Sequence, residues 1–127
     1  MKTMLVGGLA MLTVLSLMPA AAPLPAPVGV TALGANFIPA VLPAPSGSVV
    51  HFQSMETSLH HQIVTTPGNV FIGHLMPTVG WTCVPGSNGL TLGGSTCFDY
   101  VVTAPTGSVI LYHCQLHPFM NGAIVVV

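Results

Sequence analysis

Prolines and glycines divide this chain into short apolar stretches, and that spacing constrains its secondary structure more than any other feature. The 127 residues include 12 prolines and 14 glycines, and the stretches between them are rich in valine, isoleucine and threonine. β-Branched residues favour strands, whereas Pro and Gly favour the turns that join strands. A chain of this length holds one core of roughly 100 residues, not two. The sequence therefore predicts a single all-β domain.

Charged side chains are almost absent. Lys2 is the only basic residue, and Glu56 and Asp99 are the only acidic ones. Holding nucleic acid phosphates or an anionic membrane surface by charge needs a basic field, which this chain lacks. The composition therefore predicts no nucleic acid partner.

The first residues have the layout of a secretory signal peptide. Lys2 precedes an apolar run over residues 4–18, which is followed by Pro19 and three alanines. A basic start, an apolar centre and a small-residue end are typical of a cleaved leader. The alternative is an uncleaved membrane anchor, the only case in which we expect membrane association, although the run is shorter than the roughly 20 residues of a spanning helix.

Alternating alanine and proline then predict an extended spacer before the folded domain. Export would place the protein in a periplasm, on a cell surface or outside the cell. The predicted division is a signal peptide at 1–21, an Ala/Pro-rich spacer at 22–27 and a folded domain at 28–127.

Three cysteines in an exported chain leave one thiol over. Cys83 and Cys97 are flanked by turn residues and have no histidine nearby at a metal-ligand spacing, so we predict a disulfide between them. In the chain-entropy model, closing a loop of about 15 residues stabilises the fold by about 3 kcal/mol. The alternative, a redox-active disulfide, lacks the Cys-x-x-Cys spacing typical of such sites. Cys114 is then the unpaired thiol.

Cys114 begins a run of metal-ligand residues at intervals of three, because His117 and Met120 follow it. Soft sulfur donors with imidazole favour copper, and two His, one Cys and a weak axial Met form the ligand set of electron-transfer copper sites. A short loop between predicted strands at 109–114 and 123–127 would bring the three residues to one point. The alternatives are a buried free Cys with packing His and Met side chains, and zinc, whose structural sites are closed Cys/His sets without Met.

The same segment resembles the copper loop of cupredoxins. Residues 112–122 read Tyr-x-Cys-x-x-His-x-x-Met-x-Gly and precede a Val-rich terminal strand, and the loop is most similar to those of amicyanins and plastocyanin-like proteins. Residues 37–39 and 47–52 resemble the opening strands of that family. The resemblance implies a Greek-key β-sandwich of roughly seven or eight strands with one type 1 ("blue") copper per chain.

The strand that leads into this loop departs from the family pattern. Gly107 lies one residue farther from Cys114 than the pattern has it. A β-bulge near Ser108 would restore the alternation of side chains.

Two adjacent histidines fit the first His ligand of the family. We choose His61, because alternation along a strand puts His61, Ile63 and Thr65 on one face and because His61-Gln62-Ile63 resembles the family's His-Asn-Val. The distance from the preceding strand favours His60 instead. The predicted metal ligands are His61, Cys114, His117 and Met120, with His60 as the alternative to His61.

The resemblance implies a one-electron carrier that cycles between Cu(II) and Cu(I), without catalytic residues and with His117 as the electron port. It also implies that redox proteins dock on an apolar patch beside that port, formed by Leu116, Pro118 and Phe119; exclusion of water from the metal is the alternative role of these residues. Two rival functions stay open. One is a copper enzyme, similar to nitrite reductases or oxidases, in which His113 helps to hold a second copper in an oligomer. The other is a copper store or chaperone without a redox partner.

The remaining histidines and the tryptophan are given structural roles. His51 and His74 have no ligand spacing, so we interpret them as polar surface residues. Trp81 is interpreted as a core residue that packs on the disulfide.

Overall fold

A computed structural model of the chain describes residues 28–83 and 94–127. The predicted signal peptide and spacer lie outside the described residues, and so does most of the segment between the two predicted disulfide cysteines. The first strand begins at Val28. Within the described ranges, no helix is long and apolar enough to cross a membrane.

The described residues form nine strands. They are β1 (Val28–Leu33), β2 (Asn36–Ile38), β3 (Val41–Ala44), β4 (Val49–Ser54), β5 (His61–Thr66), β6 (Phe71–Leu75), β7 (Cys97–Val101), β8 (Val109–Cys114) and β9 (His117–Val126). One sheet has the order β2-β1-β4-β7, and the other has the order β3-β9-β8-β5-β6. This is the predicted all-β sandwich, and its strand number is higher because β2 and β3 are separate short strands on either side of Pro39.

The pairing of β5 with β8 decides where the candidate site lies. The two strands are antiparallel, with Ile63 opposite Cys114. The start of β5 and the end of β8 therefore meet at one end of the second sheet. β9 pairs with the other side of β8, and its first residue, His117, lies opposite Cys114.

The core lies between the sheets and is filled by alternate residues of each strand. In β4, for example, the side chains of Val50 and Phe52 are buried and those beside them are more exposed. Phe52 stacks on Phe98 of the same sheet, with ring centroids 4.8 Å apart, and packs edge to face with Tyr112 of the other sheet, with centroids 5.3 Å apart. Aromatic packing thus joins the two sheets two residues before Cys114.

The predicted bulge is present at the start of β8. The Val126 N–H donates to the Ser108 carbonyl at 2.9 Å, and the Val126 carbonyl accepts from the Gly107 N–H at 2.8 Å. Gly107 and Ser108 therefore both lie opposite Val126. Gly107 has φ +92°, a conformation that glycine adopts without a steric penalty. Beyond the bulge, alternation turns Tyr112 and Cys114 inward.

Gly122 allows β9 to pass over the Tyr112 ring. The two residues are opposite each other in the β8–β9 pair, and a Cβ built on Gly122 would overlap the ring and hydroxyl of Tyr112. The glycine two positions after Met120 is therefore required by packing.

We predict that Gly122→Ala lowers the free energy of unfolding by about 1–3 kcal/mol, because the added methyl group forces the ring or the strand to shift. Urea denaturation of the metal-free protein measures this change. Gly29→Ala is the matched control, since a Cβ there would approach its nearest neighbour only to 3.4 Å. Equal losses in both variants would contradict the packing argument.

Candidate metal centre

Three of the predicted ligands meet at one end of the second sheet. His61 begins β5, Cys114 ends β8 and His117 begins β9. A ring nitrogen of each histidine and the Sγ of Cys114 all lie within 4.8 Å of one another. Cys114 Sγ is 3.4 Å from His117 Nδ1, and the two imidazole centroids are 5.1 Å apart. Side chains from three strands thus converge on one point.

The turn between β8 and β9 is short and tied to its neighbour. Only Gln115 and Leu116 separate the two strands, so the sequence-based expectation that β9 starts at residue 123 is wrong. The Gln115 N–H donates to the Gln62 carbonyl of β5 at 2.8 Å. This bond holds the turn against the strand that carries His61.

Met120 lies on the inward face of β9. Its side chain is fully buried, in the same core cluster as Cys114. Met120 thereby shares the buried face of β9 with Ile124 and Val126, as the alternation of a strand requires.

His61 is fully buried, and neither of its ring nitrogens has a hydrogen-bond partner among the described residues. A buried polar atom without a partner costs free energy. Burial, first, and then the neighbouring His117, His60 and His74 lower the pKa of His61 to about 4. The ring is therefore neutral at neutral pH, which is the form that binds a metal ion.

Cys114 is the free cysteine of the described residues and is fully buried. It completes a cluster of one thiol and two imidazoles, and Met120 belongs to the same buried core as Cys114. One thiolate, two imidazoles and a thioether are the donors of electron-transfer copper sites. Together with the unpartnered nitrogens of His61, these residues fit a copper ion.

His60 lies outside this cluster. Its side chain is exposed, and its ring meets that of His74 edge to face, with centroids 5.5 Å apart. With Leu116 and His117 it lines a shallow pocket of about 290 Å³. The geometry therefore favours His61 over His60 as the first ligand.

The alternation that selected His61 continues along β5. His61 and Ile63 are buried, as predicted, although the pairing of β5 with β6 shifts register just after Ile63. Thr65 is half-buried and lies opposite the buried Tyr112 of β8, as Ile63 lies opposite Cys114. Residues directly opposite each other in a sheet share a face, so Thr65 lies on the inward face, as predicted.

The Cys83–Cys97 disulfide is present, as predicted. Trp81, in contrast, is not a core residue. Its side chain is 38% exposed and packs so closely over Gly94 that a Cβ there would lie 2.9 Å from the ring.

His113 points away from the cluster. Its Nδ1 is hydrogen-bonded to Thr66 Oγ1 at 2.7 Å, on the face of β8 opposite to Cys114. In the described part of the chain, His113 belongs to neither group of three metal-binding side chains whose donor atoms lie within 4.8 Å.

The predicted docking residues are at the surface beside His117. Phe119 is 94% exposed and Leu116 is 44% exposed, and Pro118 is exposed between them. His117 itself is half-buried, so its ring joins the buried cluster to this apolar surface.

The sequence pattern did not predict that His51 and Asp99 are in contact. His51 Nδ1 lies 2.7 Å from Asp99 Oδ1, and a His51 ring nitrogen lies within 4.8 Å of both disulfide sulfurs. These residues are far apart in the sequence. Only the register of β4 against β7, which puts His51 opposite Asp99, brings them together.

The solved structures that share this fold include cupredoxins. An amicyanin variant in its reduced Cu(I) form at pH 4 has a TM-score of 0.57 and 16% identity, over 85% of this chain and 87% of its own. Amicyanin from Paracoccus versutus has a TM-score of 0.53 and 18% identity, over 85% and 87%. A purple cupredoxin from Nitrosopumilus maritimus has a TM-score of 0.51 and 19% identity, over 79% and 99%.

No protein-family model and no curated protein matches the sequence. At the identities of the solved structures, the likeness establishes the fold. The chain has the cupredoxin fold that its copper-loop resemblance implies.

We predict that the metal-free protein loses stability as the pH falls from about 6.5 to about 4. The pKa of His61 is about 4 when folded against an ordinary 6.5, so the unfolded chain takes up the proton first. The contribution of His61 is complete above pH 6.5 and declines as the pH falls, with a slope of at most about 1.4 kcal/mol per pH unit. Burial, and to a lesser extent His60, also lower the pKa of His74. His74 therefore contributes to the same loss of stability at low pH.

Urea denaturation over a pH series measures this slope. His61→Asn should flatten it, whereas His60→Gln, which changes an exposed side chain, should leave most of it in place. A slope that is unchanged in His61→Asn would show that His61 is not buried in its neutral form.

Proposed function

We propose that this protein is an exported type 1 copper protein that carries one electron at a time between redox partners. The observation that carries the proposal is the convergence of His61, Cys114 and His117 within 4.8 Å at one end of a cupredoxin sandwich. The proposed copper ligands are these three residues and Met120. A structure of similar fold, an amicyanin variant, holds Cu(I), which supports the choice of metal.

The ligand residues are suited to a change of charge without a change of structure. Copper would supply the one-electron couple between Cu(II) and Cu(I). Cys114 and Met120 are fully buried, so the protein keeps water from the sulfur atoms. His61 and Cys114 belong to hydrogen-bonded neighbouring strands, which limits their movement between the two oxidation states. No substrate needs to reach the metal.

His117 is the proposed electron port, and the apolar patch of Leu116, Pro118 and Phe119 is the proposed docking surface. Support comes from the exposure of Phe119, of which 94% faces solvent, because a large apolar side chain left in water beside a functional site often marks a contact surface. An uncharged contact of small area suits partners that bind briefly and separate quickly.

Export is proposed from the leader-like residues 1–21, and it is consistent with the disulfide. Disulfides persist in oxidising compartments outside the cytosol. The same leader would deliver the chain to a periplasm, a cell surface or the medium.

We predict that the copper-loaded protein is blue, with an intense visible thiolate-to-copper absorption band and one copper per chain. Cys114→Ser removes the band because no thiolate remains. His61→Ala should abolish or displace it, whereas His60→Ala, a matched change to the adjacent histidine, should keep it. Visible absorption with metal analysis measures both quantities.

A colourless wild type, or a band that survives in Cys114→Ser, would contradict the proposal. Loss of the band in His60→Ala but not in His61→Ala would reassign the first ligand to His60. Two coppers per chain with turnover of nitrite or oxygen would replace the carrier with a copper enzyme. Rapid metal exchange without reversible reduction would indicate a copper store.

We predict that Phe119→Asp slows electron self-exchange between oxidised and reduced copies at least about tenfold at low salt, because a charge on each docking patch makes the copies repel. NMR line widths of mixed oxidation states give the rate, and the visible band should be unchanged.

Val109→Asp is the control for this substitution. Val109 is also exposed, but it lies at the end of β8 away from Cys114, and it receives the same charge. If both variants slow self-exchange equally, Phe119 is not part of the docking surface.

A further inference from the structure

The disulfide lies beside a histidine and a carboxylate, His51 and Asp99, that the copper centre does not use. In the register of β4 and β7, His51 is opposite Asp99 and Gln53 is opposite Cys97. Residues two apart in a strand share a face, so Asp99 and Cys97 belong to one face of the first sheet. Cys97 is buried and Cys83 is exposed. Solvent therefore reaches the disulfide from the Cys83 side.

His51 is held in an orientation suited to metal binding. Its Nδ1 lies 2.7 Å from Asp99 Oδ1, a distance at which the ring N–H donates to the carboxylate. Nε2 then keeps its free lone pair. Metal-binding histidines commonly donate their other ring N–H to a carboxylate in this way, which fixes the tautomer and the ring orientation.

The two cysteines supply the remaining donors once their disulfide bond is broken. A ring nitrogen of His51 and the Sγ atoms of Cys83 and Cys97 all lie within 4.8 Å of one another. In the disulfide, the sulfurs share a bond and offer no thiolate. A dithiol reductant transfers two electrons and two protons to that bond, leaves two cysteine thiols and becomes a disulfide itself.

We propose that reduction of the Cys83–Cys97 disulfide opens a second metal site, in which Cys83, Cys97 and His51 bind one d¹⁰ cation such as Zn²⁺ and Asp99 orients His51. Two thiolates and an imidazole are donors that zinc and Cu(I) prefer. Binding displaces the two thiol protons, and a fourth position is left to water.

The required movement is small. Zinc bonds of about 2.3 Å to sulfur and about 2.0 Å to nitrogen place tetrahedral ligand atoms about 3.5–3.8 Å apart. The sulfurs must separate once their bond is broken, and the exposed position of Cys83, outside the strands, allows this. The cation would then replace the disulfide as the cross-link between Cys83 and β7. Cys97 and Cys114 belong to different sheets, so this site does not depend on the copper centre.

The test compares two samples of the copper-loaded full chain. Both are kept in the Cu(I) state with ascorbate, which leaves disulfides intact, and one is also treated with a phosphine that reduces the disulfide and is then removed. Zinc is titrated into each sample against a chromophoric chelator. Zinc held near Cys114 or on surface histidines occurs in both samples, so the difference between them reports the new site.

We expect one additional zinc per chain after phosphine treatment. His51→Gln should weaken this binding at least about tenfold, and Asp99→Asn should weaken it by about 10- to 100-fold, the usual effect of losing the carboxylate behind a ligand histidine. His113→Gln, which changes a histidine of the other sheet, is the matched control and should have no effect.

No additional zinc after reduction would overturn the proposal. Additional zinc with the same affinity in His51→Gln would also overturn it, because free thiols of an unfolded segment bind zinc without His51. Far-UV circular dichroism of both samples shows whether the fold survives reduction, and a reduced chain that unfolds and stays unfolded with zinc counts against the site.

Discussion

The packing of Tyr112 between the two sheets is the contact on which the rest of the structure depends. Its ring packs edge to face with the rings of Phe37 and Phe52, at centroid distances of 4.9 and 5.3 Å, and lies under Gly122. Burial raises the pKa of its phenol, so the ring stays neutral. Because Tyr112 is two residues before Cys114, the same contacts set the depth at which the thiol enters the sandwich. The site is therefore an extension of the core.

The candidate metal centre and the core have opposite effects on the stability of the metal-free protein. Aromatic and aliphatic packing stabilises the fold, whereas the buried, unpartnered ring nitrogens of His61 cost free energy. Near-absence of charge elsewhere leaves histidines as the main titrating groups of this end of the sandwich. A cation bound there would satisfy the orphaned nitrogens, which couples metal binding to folding.

Local patterns were predicted well because their residues are close in sequence. The spacing of Cys114, His117 and Met120 is read directly from a single segment, and the extra residue before β8 required the bulge that Gly107 and Ser108 form. Predictions failed where contacts between residues far apart in the sequence determine the position of a side chain. His51 was interpreted only as a polar surface residue, although the register of β4 against β7 puts it opposite Asp99. Trp81 was assigned to the core although its ring stays partly exposed.

The sequence by itself determined the all-β class, the disulfide pairing and the order of the soft donors near the carboxyl end, because strand propensity, cysteine number and short spacings are local properties. Only the tertiary structure showed that His61 is buried and His60 is exposed. In the sequence, alternation favoured His61 but the distance from the preceding strand favoured His60. It also brought His51 and Asp99 to the disulfide. That neighbourhood depends on the register between β4 and β7, and register is set by core packing across the whole sandwich.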